Sequence, residues 1–139
     1  MTWFAAAFGR LVALPTWALL ALIAADVVVH ETGHLLVARC WGARFRGIAW
    51  PRPWRIAIRV DGARLGPIPL AVVALGGCAA EGAAWGLCRL LAGPHALVTV
   101  AAGFFTVVNG VVNLTPGPWP SDGRHLAAAW RALRRPAAS

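Results

Sequence analysis

The chain has 139 residues, of which 59% are hydrophobic and 13% charged, and its mean hydropathy is +0.65. An ordinary soluble domain carries about 25% charged residues, so the composition excludes that class and points to one compact integral membrane domain without internal repeats. The net charge of +8 comes from arginine alone; these residues lie between apolar segments, which favours anionic lipid headgroups over nucleic acid as their partner.

In chain order, the first predicted element is an apolar helix over about 11–40, in which Asp26 is the only charge from Leu11 to Val29 and a polar cluster follows at 30–34. At 1.5 Å per residue it would be roughly 45 Å long, against a hydrocarbon core of roughly 30 Å, so it must tilt or project. Its start, with Arg10, an apolar run and Ala24-Ala25, mimics a signal peptide. Cleavage there would destroy the helix that carries His30, and the expectation is that the segment is retained.

Next comes a basic stretch over 43–64. Ile56, Ile58 and Val60 alternate with Arg55, Ala57 and Arg59, a period of two that suits a strand. Phe45 to Trp50 could pair with it around Pro51-Arg52-Pro53, although two prolines make such a hairpin irregular. A basic interfacial loop fits the same residues equally well.

The second helix is expected over about 65–92. Gly76, Gly77, Gly82 and Gly86 would let neighbouring helices approach closely. Glu81 is its only acid, and the sequence assigns that residue no role. Gly93-Pro94 ends the segment. A third helix over about 95–115 stops at Pro116, and a short amphipathic helix is expected over about 123–135. Cys40, Cys78 and Cys88 form no CxxC pair and read as small apolar helix residues rather than disulfide or zinc-thiolate partners. The fold class is thus all-α integral membrane: three transmembrane helices in one domain, with a short β-hairpin or loop between the first two.

Arginine placement orients this bundle. Seven of thirteen (Arg39, Arg44, Arg46, Arg52, Arg55, Arg59 and Arg64) lie around the first loop, and four (Arg124, Arg131, Arg134 and Arg135) follow the third helix. The positive-inside rule puts both regions in the cytoplasm and the N-terminus outside. Trp41, Trp50, Trp54, Trp119 and Trp130 would then form a belt at one interface. The expected location is a bacterial plasma membrane.

The chemistry resides in "HETGH", residues 30–34. HExxH on a helix places His30 and His34 at i and i+4 on one face, where both imidazoles can reach one metal ion. Glu31 lies beside that face and suits a general base acting on water at the metal. Zinc is the expected ion, and amide hydrolysis its natural chemistry. Ionisable groups in a spanning helix are costly without partners, so a purely structural reading is much the weaker one. Catalytic zinc normally takes a third protein ligand. Val37 and Cys40 stand where a GxxH extension would place one, so it must come from elsewhere. Asp26, one turn before His30, could hydrogen-bond an imidazole from the second shell or simply bind a neighbouring backbone. Asp122 and His125 both follow the third helix near the same membrane face.

These motifs, HETGH in the first helix and "NLTPGPWPSDG" closing the third, resemble the site-2 protease family of intramembrane zinc metalloproteases. The resemblance spans the three-helix core. It implies that His30, His34 and Asp122 bind one zinc ion and that Glu31 is the catalytic base. It further implies that Asn113 positions substrate and that the segment between the first two helices adds a strand to an unwound, membrane-anchored protein substrate. This chain departs from the family at Ser121, where leucine is usual, and in an interval from Asn113 to Asp122 that is one residue longer. Gly77 and Ala80 stand where that family often has proline and asparagine. A different class also fits the ligands: a metal-binding membrane chaperone or structural subunit without protease activity.

Overall fold

The computed structural model describes residues 2–52, 55–61, 66–117 and 121–134. The expected positions Pro53, Trp54, Arg64, Pro118, Trp119, Pro120 and Arg135 lie outside the described residues.

The first long helix is shorter than the 11–40 expected. A separate helix α1 (Thr2–Val12) precedes α2 (Thr16–Cys40), and Pro15 stands at the α2 N-cap in extended conformation. Proline supplies no N–H to an upstream turn and disfavours helix in the residue before it, so the break falls there. At 25 residues α2 is about 37 Å long, closer to a bilayer core than the longer reading was. It ends at Gly42, whose φ of 82° lets the Ala43 N–H fold back to the Ala38 carbonyl and close the last turn.

Strands β1 (Arg44–Arg52) and β2 (Arg55–Asp61) pair antiparallel. Phe45 lies opposite Val60, Ile48 opposite Ile58 and Ala49 opposite Ala57. The register slips between Phe45 and Gly47 and again between Ala49 and Arg52. Gly47 has φ 126°, and Pro51 lacks the N–H a regular ladder needs, which accounts for both irregularities.

Helix α3 (Pro67–Ala92) and helix α4 (Leu97–Leu114) form a pair joined by a short turn, and α5 (Asp122–Leu133) closes the chain. Pro67 at the first helical position starts α3 with a preset φ. Packing centres on α3, which α2, α4 and α5 all touch, while α1 lies on α4 with Phe8 against Phe104.

Helices α2, α3 and α4 are each long and apolar enough to cross a membrane. Their side chains are distributed as lipid contact would require. The buried apolar residues are small, among them Ala38, Ala74 and Ala101, while Trp17, Leu20, Ile23, Val72, Leu87, Leu90, Val107 and Val111 face outward. A water-soluble fold of this size would hide such residues. Among the described residues, the largest fully buried side chain is an acid, Glu81.

Two of the four α3 glycines expected at helix contacts are there. A side chain on Gly76 would collide with the Gly33 backbone of α2, and one on Gly77 with the His30 ring. Gly82 and Gly86 correct the expectation: a Cβ on either would meet nothing. At 100° per residue they fall about 140° and 180° around α3 from Gly77, away from the face that meets α2. The reciprocal close approach comes from Gly33, inside the HETGH motif, whose absent side chain leaves room for the Gly76 carbonyl.

Candidate metal centre

His30 sits past the middle of α2, and His34 follows one turn later on the same face. Their rings stand nearly perpendicular, at 82°, with centroids 4.7 Å apart. Each ring is anchored through Nδ1 to α3. His30 Nδ1 donates to Glu81 Oε1 at 2.6 Å, and His34 Nδ1 donates to the Val73 carbonyl at 2.7 Å. A carbonyl or carboxylate oxygen can only accept, so both Nδ1 atoms carry protons and both Nε2 atoms turn toward a common point.

Asp122 supplies the third atom at that point. The two Nε2 atoms are 3.0 Å apart, and Asp122 Oδ2 lies 3.2 Å from His30 Nε2 and 3.3 Å from His34 Nε2. Tetrahedral zinc with bonds of about 2.0–2.1 Å sets neighbouring ligand atoms about 3.3 Å apart. Three lone-pair atoms held this close repel one another unless protons or a cation lie among them. His30, His34 and Asp122 could therefore hold a metal ion. Without an ion, burial of the Asp122 carboxyl favours its protonation, but hydrogen bonds and charge from protonated His30 and His34 outweigh this and hold it well below the usual carboxylate range.

A second group, His30, Cys78 and Glu81, also lies within reach of one ion and shares His30 with the first. Cys78, which stands in no CxxC pair, reads from its spacing as a small apolar helix residue. The first group has the better geometry. His30 Nδ1 and Glu81 Oε1 at 2.6 Å are at hydrogen-bond distance, too close to be neighbours on one tetrahedral ion.

Local structure explains how Asp122 arrives from a different element. Pro116 prevents α4 from continuing. Ser121, buried at the N-cap of α5, donates from Oγ to the Thr115 carbonyl at 3.0 Å and ties the returning chain to the end of α4. Gly123 then packs against the Leu114 carbonyl and the Pro116 nitrogen, where any side chain would collide. Between these two anchors Asp122 has little freedom. Ser121, which stands where the resembling family has leucine, thus has a definite structural task.

His125, the competitor for this position, is exposed on α5 and is not in the cluster, and His95 lies in the turn between α3 and α4. Glu31 is half-buried on α2 directly after His30. Asn113 is half-buried in the last turn of α4.

The carboxylate beside His30 is not Asp26. Asp26 accepts a hydrogen bond from Asn109 of α4, and Asn109 Nδ2 also reaches Glu81 Oε1 at 3.2 Å. Asp26 therefore stands three hydrogen bonds away from the imidazole, through Asn109 and Glu81, and His30 Nδ1 is engaged across the α2–α3 contact. Sequence reasoning missed Glu81, Asn109 and Ser121 as site residues. The available signal was Glu81 itself, an acid in an apolar spanning segment, which by cost alone marks a functional position. Asn109 precedes Asn113 by one helical turn and shares its face.

Compared with known proteins, the chain matches no protein-family model, no curated protein and no solved structure.

Proposed function

We propose that this protein is an intramembrane zinc metalloprotease similar to the site-2 protease family, cleaving a peptide bond in or near the transmembrane segment of a membrane-anchored protein. One observation carries the reading: three ligand atoms from α2 and α5 converge within 3.0–3.3 Å while both histidine Nδ1 atoms are committed elsewhere. That donor set, two neutral imidazoles and a carboxylate, is one zinc accepts while keeping a coordination position open. Zinc would supply Lewis acidity, making water nucleophilic near neutral pH and polarising the scissile carbonyl.

The protein's own groups supply the remainder. Glu31 takes a proton from the attacking water as its oxygen bonds to the carbonyl carbon, then passes that proton to the amine as the C–N bond breaks. Asn113 donates to the carbonyl oxygen as negative charge develops on it. A helical substrate hides its backbone amides, so it must unwind. The edge of the β1–β2 pair offers main-chain hydrogen bonds to the extended segment. The three long helices span the bilayer with the arginine-rich end in the cytoplasm, and water reaches the site from that side.

The test is a Glu31→Gln variant, purified in detergent and assayed on single-pass membrane proteins that the wild type cleaves. Zinc content should stay near wild type while the rate falls on the order of 10²–10⁴-fold, the usual contribution of a general base. Unchanged cleavage would sink the mechanism. A wild type that binds zinc and cleaves no membrane-anchored protein would favour the non-proteolytic metal-binding reading.

A further inference from the structure

Glu81 is the anomaly that the proposed reaction leaves unused. Its side chain is completely buried within the bundle, yet it is an acid. Oε1 accepts from His30 Nδ1 at 2.6 Å and from Asn109 Nδ2 at 3.2 Å, whereas Oε2 has no partner among the described residues. A buried acid that accepts two hydrogen bonds through one oxygen and leaves the other bare is costly, and a packing role would be filled better by leucine or methionine.

We infer that Glu81 is a positioning residue of the metal centre: it fixes the His30 ring with Nε2 toward the ion and supplies the second negative charge that balances it. The inference rests on the metal reading above and adds a role for a residue that does not touch the ion. Two structural arguments support it. First, orientation: His30 can rotate about its Cβ–Cγ bond, and only a strong acceptor on α3 keeps Nδ1–H outward and the Nε2 lone pair inward. Gly77 lies directly against the ring, where a Cβ would be 2.5–2.7 Å from three of its atoms, so the ring is held between that glycine and the carboxylate. Second, charge: a divalent ion bound by two neutral imidazoles and Asp122 retains one positive charge, which is expensive in a low-dielectric interior. A Glu81 carboxylate hydrogen-bonded to His30 brings the sum to zero and makes the imidazole a better donor to the ion. Asn109 keeps that carboxylate in place from the α4 side.

The experiment measures zinc affinity of the detergent-purified full chain by competition with a chromophoric chelator, together with the absorption spectrum of the cobalt-substituted protein. Glu81→Gln keeps an acceptor and the side-chain shape but removes the charge. It should weaken zinc by about 10–100-fold, the usual cost of losing such an outer partner, and shift the cobalt bands. Glu81→Asp, which keeps the charge, should bind more tightly than Glu81→Gln. Cys78→Ser, on the same helix, should bind like wild type. The metal-free thermal midpoint should be close to wild type in the glutamine variant, since a purely structural acid would move stability without moving affinity or spectrum. Wild-type affinity and spectrum in folded Glu81→Gln would overturn the inference and leave the metal site standing. Loss of zinc in Cys78→Ser would overturn it too, by making Glu81 and Cys78 direct ligands. If Glu81→Gln does not fold, Glu81→Met, which fills the space without charge or acceptor, decides in its place, with wild-type affinity and an unshifted spectrum in that variant counting against the role. A wild type that takes up no zinc would end the metal reading itself.

Discussion

Asp122 reaches the two histidines from outside the spanning helices, so its removal should abolish metal binding without disturbing membrane insertion. In Asp122→Ala the two imidazoles remain, but the ion loses both a ligand and a compensating charge. Metal analysis of purified Asp122→Ala should find most of the zinc gone, while His125→Ala, altered at an exposed residue three positions on, should retain it. The reverse result would move the third ligand to His125. At this scale HETGH was readable because i and i+4 on one helix is a local rule, and the membrane context makes three ionisable residues improbable by accident. Glu81 and Asn109 were not readable in the same way. His30 meets Glu81 across 51 residues of sequence, and Asn109 meets Asp26 across 83, pairings fixed only when α3 and α4 pack on α2. Helical spacing put Asp26 one turn before His30 without saying which neighbour it would bond, and its hydrogen bond goes to Asn109.

The α2–α3 crossing brings the imidazoles to their acceptors, and it depends on two helices touching backbone to backbone. Gly33 and Gly76 meet there, and Gly77 leaves the space that the His30 ring occupies. Gly77→Ala should push the ring off its bond to Glu81 and weaken zinc at least tenfold, with overpacking of this kind typically costing about 1–3 kcal/mol. Gly82→Ala on the same helix fills open space and should leave zinc binding unchanged, with stability equal or slightly raised by the better helix former. Equal zinc affinity in both variants would show that the ring does not rest where it is described. Glycine content alone marked α3 as a contact helix, but not which glycines face α2. A helix without a polar stripe has no sequence pattern to show its orientation. The α1–α2 break was hidden for a related reason: apolar residues run straight through Leu14-Pro15, and the proline had to be given more weight than the hydrophobicity around it.

Among the described residues, many large apolar side chains point outward and small residues fill much of the inside, and the three long helices run up, down and up with most of the arginines at one end. The ends of α2 and α4 and the start of α3 share one side with α5. If that side is cytoplasmic, a reporter fused at the C-terminus should be active only when it is of a kind that works in the cytoplasm. An active periplasmic reporter there would reverse the proposed water route. The three long apolar helices were legible because length and hydropathy set them directly. The path of the chain from α4 back to the histidines was not, since it depends on the buried Ser121 bond and the close seat of Gly123 rather than on any periodic pattern. The claim on which everything else rests is that His30, His34 and Asp122 enclose one metal ion. X-ray absorption at the zinc edge of the purified protein tests it most directly. Two imidazole nitrogens at about 2.0–2.1 Å and oxygen donors at about 2.0–2.2 Å, with about one zinc per chain, are predicted. A sulfur scatterer at about 2.3 Å, which would put Cys78 on the ion, or no stoichiometric zinc at all, would contradict it.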